Sequence, residues 1–439
     1  MKKETLAALY DAQRPEFMDA LRSIMQIKSV RGPSRPDAPF GSGPRAALDA
    51  AAELGTAYGF QTKVINGAMT AIQWGDDDQH YIGIVGHLDV VPAGEVAWHF
   101  PPYDLTEQNG RLYGRGILDN KGPSMACLFG MKLLKEAGYR PTKTIRLILG
   151  SDEESGSADV PRYLASQAPP DFGFTPDCKF PVVYGERGIV NYQLTTPITD
   201  GSLANIGEIR GDQASDHVPD QLEVMVNGQL IRVTGKRAPS NAPELGDNAI
   251  TRLADTLLNQ PAVHGQFADY CRWLVTKLAD QHNGVGLGMA FADAASGNLI
   301  VTPYQWQKAG QTLTLRLAIR YPVTYHEADV MQALAAAVLP RTAIEVIRSL
   351  PGVLHDRQDP RLQDLSQAYE QITGQPGQLV TTTGATYARA MPNIVAFGPS
   401  FPGQKGIAHN ADEWMDEQDL KLNMLIDMTA MMKLGGMTD

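Results

Sequence analysis

Cysteine is scarce: Cys127, Cys178 and Cys271 are the three in 439 residues, far apart and in no CxxC spacing. An odd, scattered set excludes a disulfide framework and a cysteine-based zinc knuckle, and it fits a reducing, cytoplasmic setting. Long apolar runs are also missing, since no stretch approaches the roughly eighteen residues a membrane span needs. Basic residues are in deficit, 38 Lys+Arg against 49 Asp+Glu for a net charge of −11. That balance argues against a broad phosphate-binding face, and so against nucleic acid as a partner. The N-terminal run MKKETLAALYDAQRPEF starts basic but meets Glu4, Asp11 and Glu16 before any apolar stretch forms, unlike a secretion signal. What remains is ordinary globular composition, 43% hydrophobic and 20% charged, in a length that suggests about two or three domains.

Helical spacing runs through residues 1–30, where Leu6, Leu9, Phe17, Leu21 and Met25 recur among charges. A Pro/Gly-rich loop (31–45) and a second helix through 46–58 follow. Then strand and helix alternate. HYIGIVG (80–86) and TIRLILG (144–150) read as buried strands. KGPSMACLFGMKLLKEAG (121–138) places Met125, Leu128, Met131 and Leu134 along a helix that Gly138 can stop in a left-handed conformation. Such alternation predicts a mostly parallel sheet covered on both faces.

Near Gly188 the texture changes to strand-like runs (IVNYQLTT, QLEVMV, QLIRVTG), then a helix at 248–260, a strand at 313–323 and a helix at 328–338. From about Asp359 the first texture returns, with a helix, a strand at 393–398 and a C-terminal helix. The expected fold class is α/β: a domain of residues 1–187 and 353–439, interrupted by an α+β domain with an antiparallel sheet at 188–352.

The chemistry-bearing residues stand at strand ends. His87 and Asp89 follow the strand ending at Gly86, and Asp119 stands in GRGILDNKGP before a helix. Glu153 and Glu154 follow TIRLILG, and Asp177 lies in TPDCKFP. Ligands in open α/β sheets bind beyond the carboxyl ends of strands, so these groups would converge on one crevice. Taken singly, each fits a plainer role: the HxD pair a surface feature or satisfied core histidine, the Glu pair a solvated face, Asp119 an N-cap, Asp177 a turn. Together they differ, because carboxylates gathered in a cleft repel and divalent cations are the usual remedy. Imidazole and carboxylate donors without thiolate suit Zn²⁺, Mn²⁺ or Co²⁺.

The run GHLDVVPAG, then PPY, GRLYGRGILDNKGP, DEESGS and a late AHNADE, with GERG at 185–188 and AFGPSFPG at 396–403, resembles a known family. It is that of the di-zinc metallopeptidase superfamily of aminoacylases, carboxypeptidase G and carnosinase-like dipeptidases, and within it the bacterial dipeptidase V (Xaa-His dipeptidase) branch. The resemblance spans essentially the whole chain. It implies two Zn²⁺, with Mn²⁺ or Co²⁺ as alternatives: His87 and Asp177 on one, Glu154 and His409 on the other. Asp119 would bridge them, its bond to Asn120 cis. Asp89 would bind the free ring nitrogen of His87. Glu153 would be the general base, taking a proton from a water activated by two metals and returning it to the leaving nitrogen. The inserted domain would be a lid whose Arg320 holds the substrate's terminal carboxylate; a strand-end arginine in a surface ion pair is the plainer alternative. Asp216, Thr386 and Arg389 complete the implied substrate-binding set. The implied partner is a short peptide, bound by a cytoplasmic monomer with no membrane role.

The chain also departs from that family. The lid motif there reads like GKSAHGSxPExGxNA; here it is GKRAPSNAPELGDNA, with Pro239 in the histidine position. In the family that histidine stabilises the oxyanion, and proline has neither a ring donor nor an N–H. Loss of one such donor typically costs about 10²–10³ in rate. Asp216 stands where asparagine is usual and would repel a carboxylate; His217 beside it is either a replacement donor or an ordinary loop histidine. Thr383 and Ala385 occupy positions where glycines are expected. Three functions therefore compete: a metal-dependent dipeptidase, an N-acyl-amino-acid amidohydrolase, and a metal-binding, non-catalytic peptide-binding homologue.

Overall fold

The apolar runs at 81–87 and 144–150 form neighbouring strands in which every residue is buried, so they lie in a layer covered on both faces. In the computed structural model, which describes residues 2–437, the chain divides into two units. One comprises Met1–Tyr184, His355–Val380 and Gly384–Asp439, the other Gly185–Leu354 and Thr381–Thr383.

The first unit is mixed α/β. Helices α1 (Lys3–Met25) and α2 (Ser42–Ala57) lead into strands β1 (Gln61–Ile65), β2 (Met69–Trp74) and β3 (Tyr81–His87). Helix α3 (Lys121–Glu136) and strands β4 (Thr144–Gly150), β5 (Phe172–Thr175) and β6 (Val182–Glu186) follow. After the second unit come α4 (Pro360–Thr373), β7 (Ile394–Ala396) and α5 (Glu417–Leu434). The strand order is β1-β2-β4-β3-β5-β7-β6. Strands β4, β3, β5 and β7 run parallel, whereas β1–β2, β2–β4 and β7–β6 pair antiparallel. The sheet is parallel only at its centre, which corrects the expectation of a mostly parallel one. The reason is local: the short 66–68 connection, closed by Asn66 at φ 50 and Gly67 at φ 64, permits only a hairpin between β1 and β2.

Parallel strands end on one edge. The loops after β3, β4, β5 and β7 therefore leave the sheet on the same side, and these are the loops that carry the candidate metal-ligating residues and Glu153. Helix α3 is buried from Lys121 through Leu134, and Phe129 packs on Phe17 of α1 with ring centroids 5.2 Å apart. Lys121 donates from Nζ to Ile24 O at 3.0 Å and Ile27 O at 2.6 Å, which satisfies carbonyls at the end of α1. Burial brings its ammonium down to about 7.

In the second unit, strands 300–309, 312–321, 188–197 and 343–350 form an antiparallel sheet in that order. Val190, Tyr192, Leu194, Leu315, Leu317 and Ile319 belong to one core with residues of the helices Ala249–Leu258 and Gly265–Leu278. Three of these elements escape the sequence reading. Helix 265–278 carries its signal in Phe267, Tyr270, Cys271 and Leu274, all buried. Strand 300–309 is broken in pattern by a register shift at Pro303–Gln305. Strand 343–350 has no buried residue, so no period-two alternation marks it. Among the described residues no helix is long and apolar enough to cross a membrane.

Gly173 of β5 lies between β3 and β7, and a Cβ there would stand 1.8 Å from Gly83 O. Gly173→Ala should destabilise the chain by at least roughly 1–3 kcal/mol. Urea unfolding reads this out; an unchanged midpoint would mean the strands separate without cost.

Candidate metal centre

Strand β3 ends on His87, which is fully buried. Gly86 precedes it for a steric reason: a Cβ there would come 2.2 Å from Ser124 Oγ and 2.9 Å from Asn120 Oδ1. The missing side chain lets the start of α3 close on the strand. Asn120 then joins three loops. Its Oδ1 accepts the His87 N–H at 3.4 Å and the Ser124 hydroxyl at 2.8 Å, and its amide donates to Pro176 O, beside Asp177. The Asp119–Asn120 peptide bond is cis.

Two groups of donors result, His87–Asp119–Asp177 and Asp119–Glu154–His409, with the ligand atoms of each within 4.8 Å of one another. Asp119 belongs to both. Its Oδ1 lies 3.0 Å from His87 Nε2 and its Oδ2 3.1 Å from His409 Nε2. Asp177 Oδ2 is 3.6 Å from His87 Nε2, and Glu154 Oε1 is 3.0 Å from His409 Nε2.

Asp89 is placed differently from the expectation. The Nδ1 of His87 is 2.9 Å from the main-chain oxygen of Asp89, and the carboxylate is farther, at 3.5 Å. Donation from Nδ1 to that carbonyl leaves the Nε2 lone pair toward Asp119 and Asp177. The Asp89 carboxylate instead accepts the N–H groups of Glu153 at 3.3 Å and Glu154 at 3.2 Å, because two successive amides of the acidic loop point at it.

The electrostatics are those of crowded acid. Burial, with the charge of Asp177 added, raises Glu153 well above the ordinary carboxyl range. Burial also lifts Asp177 to about 7 despite His87, and it raises Glu154. Burial would raise Asp119 too, but hydrogen bonds from His409 and His87 hold it below the usual range. His409 is driven up to about 11 by Asp119 and Glu154. Burial pulls His87 down, yet Asp177, Asp119 and Asp89 outweigh it and leave it well above its ordinary value. Among the described residues only the two imidazoles pair with these acids. Imidazole and carboxylate donors with this surplus of buried negative charge fit divalent cations.

Glu413, four residues after His409, carries no sequence signal beyond its place in AHNADE. It is fully buried. One oxygen accepts the N–H groups of Gly116 at 3.1 Å, Leu118 at 3.0 Å and Asp119 at 3.1 Å; the other meets Arg115 at 2.7 Å. One carboxylate thus ties the His409 loop to the Asp119 turn. Asp159 acts likewise on the acidic loop, accepting the N–H groups of Ser151 at 2.8 Å and Asp152 at 3.0 Å, with the Tyr387 hydroxyl as a further donor. Tyr387 stands edge-on to His87, centroids 6.2 Å apart.

The other candidates lie outside both donor groups. In the first unit, Thr386 Oγ1 accepts the Ala388 N–H at 3.1 Å and caps the short helix Tyr387–Ala390; Arg389 donates to Gly384 O at 3.3 Å. In the second unit, Arg320 donates to Thr383 O at 3.2 Å, Ser240 O at 3.3 Å and Ser240 Oγ at 3.4 Å, none of them charged. Asp216 is exposed and lies 2.7 Å from His217 Nδ1. Pro239 faces His217 in an isolated antiparallel bridge, and the buried Nε2 of His217 makes no hydrogen bond.

The first unit thus combines an α/β sheet edge with two imidazole–carboxylate groups that share one aspartate and could hold metal ions. The sequence profile of peptidase family M20/M25/M40 matches residues 83–429, and the chain belongs to that family. The Bacillus subtilis (strain 168) protein YtjP is 32% identical to it over 95% of both chains. Beta-Ala-Xaa dipeptidase of Lactobacillus delbrueckii subsp. lactis is 30% identical, with 97% of both chains covered. Among solved structures, human carnosine dipeptidase 1 superposes with a TM-score of 0.61 at 16% identity, covering 99% of both chains. Aminoacylhistidine dipeptidase of Vibrio alginolyticus gives 0.59 at 16% identity, covering 94% of this chain and 96% of that one. At such identities these two bear on the fold alone.

Glu413→Gln removes the charge that holds the Asp119 turn, and should weaken metal binding by about 10–100-fold. Competition with a chromophoric chelator measures it, circular dichroism confirming a folded protein. Unchanged affinity would show that the turn keeps its shape unaided.

Proposed function

We propose that this peptidase is a metallo-dipeptidase using two Zn²⁺, with residues 1–187 and 353–439 as its catalytic domain and 188–352 as an inserted lid. The observation that carries the reading is Asp119, shared by two donor groups, with Glu153 next to a donor and in neither group. Support comes from the relatives, one of which is named for dipeptide hydrolysis.

His87 and Asp177 would hold one cation, Glu154 and His409 the other, and Asp119 both. When bound, the cations supply Lewis acidity that lowers the pKa of water and polarises a scissile carbonyl. Glu153 is the proton carrier. Its carboxylate accepts a proton from the attacking water as the oxygen bonds the carbonyl carbon, then delivers it to the nitrogen as the C–N bond breaks. Two amino acids leave, and the carboxylate is restored. Asp89 fixes this step at both ends, its carbonyl on His87 Nδ1 and its carboxylate on the Glu153 amide. Arg320 is assigned to the peptide's terminal carboxylate, on the ground that its guanidinium meets only neutral acceptors.

Unblocked dipeptides and N-acyl amino acids, assayed side by side with zinc loaded, test the reading. Turnover confined to the acylated compounds would make the chain an amidohydrolase, and tight dipeptide binding without product would make it a binding protein. Glu153→Ala should keep its metals while kcat falls by about 10²–10⁴; loss of metal would make Glu153 a ligand instead. Asp119→Ala should lose more zinc on dialysis than His87→Ala, by elemental analysis, because it removes a ligand from both cations. Equal, full occupancy would sink the bridging role.

A further inference from the structure

We propose that the face of the second unit's four-stranded sheet opposite its hydrophobic core receives two negative charges, which makes dipeptides ending in aspartate or glutamate the preferred substrates. The proposal rests on the dipeptidase reading and on Arg320 holding the terminal carboxylate.

The register places the groups. In the central strand 188–197, Ile189 pairs with Arg320 on one side and Leu350 on the other, and Asn191 pairs with Ala318 and Arg348. Side chains alternate along a strand, so Arg320, Asn191 and Arg348 share one face. Val190, Tyr192, Leu317 and Ile319 occupy the opposite face and belong to the hydrophobic core. Asn191 thus stands on the strand between two arginines.

Among the described residues no carboxylate answers this charge. Arg320 has only neutral acceptors. Burial, and then the like charges of Arg348 and Arg187, bring its guanidinium down to about 10, with no carboxylate acting to raise it. Among the described residues the Arg348 side chain makes no hydrogen bond or ion pair, and it is exposed to solvent. Asn191 is 6% exposed, yet its amide has no hydrogen-bond partner among the described residues. An amide with no protein partner, beside guanidiniums that repel, leaves donors free for a ligand.

A terminal carboxylate alone satisfies Arg320 and leaves Arg348 unanswered. A C-terminal aspartate or glutamate brings a second carboxylate on the same residue, and the Asn191 amide can donate to either. Arg348 supplies the discrimination because its charge-assisted bond exists only when the side chain is an acid.

The test compares Ala-Glu, Ala-Gln and Ala-Lys with the zinc-loaded full chain. kcat/KM for Ala-Glu should exceed that for Ala-Gln by about tenfold, with Ala-Lys lowest, and the gap should narrow at high ionic strength. Arg348→Gln should bring Ala-Glu down to the level of Ala-Gln, and Arg348→Glu should favour Ala-Lys; the position is exposed, so neither change threatens folding. Equal use of Ala-Glu and Ala-Gln by the wild type overturns the proposal alone, as does a preference that survives Arg348→Gln. No turnover of any of the three overturns the dipeptidase reading and this proposal with it.

Discussion

Everything in the first unit serves one electrostatic constraint: Asp119, Glu153, Glu154, Asp177 and Asp89 are gathered at one sheet edge with two imidazoles as their protein counter-charges. Desolvation and mutual repulsion drive Glu153, Glu154 and Asp177 toward the protonated form. Such a cluster disperses unless its backbone is held and its charge is balanced. The fold meets the first need, and the proposed cations would meet the second.

The holding is done by acceptors aimed at main-chain N–H groups. Glu413 takes three amides of the Asp119 turn, Asp159 two of the acidic loop, and Asp89 the next two. Each satisfied amide removes freedom from the loop that carries a donor, so the donors are positioned before any ligand arrives. Asn120 adds a neutral link between His87, Ser124 and the strand end at Pro176. These four residues are less conspicuous than the donors and constrain them more.

The second unit shows the same logic with the sign reversed. Cationic side chains share a face with an amide that has no partner among the described residues, and their repulsion marks the face for an anion, as crowded carboxylates mark the other unit for a metal. Departures from the family fall there as well: Pro239 bridges His217 through backbone, and Asp216 turns its charge to His217. The expected donor types all stand in the first unit while motif positions in the second have changed, which on the proposed reading would separate the chemistry from the choice of substrate.

Some of this was legible in the residues. Apolar runs at 80–86 and 144–150 read as buried strands, since only a layer covered on both faces tolerates them, and the first lies one residue further on, at 81–87. The chemical types of His87, Asp119, Glu154, Asp177 and His409, with thiolates absent, were legible and set the expectation of a divalent cation, because donor hardness is a property of the side chain. The antiparallel margin of the sheet was not legible, since pairing direction depends on which edge is free when the hairpin at 61–74 docks. Strand 343–350 was invisible because its exposure erases alternation. Nor could spacing reveal that Asp89 would meet His87 with its carbonyl, or that Glu413 would reach the Asp119 turn from nearly three hundred residues away. A hydrogen bond from main chain to a buried carboxylate leaves no pattern in the residues that donate it, so those partners were decided only when the strands aligned their loops on one edge.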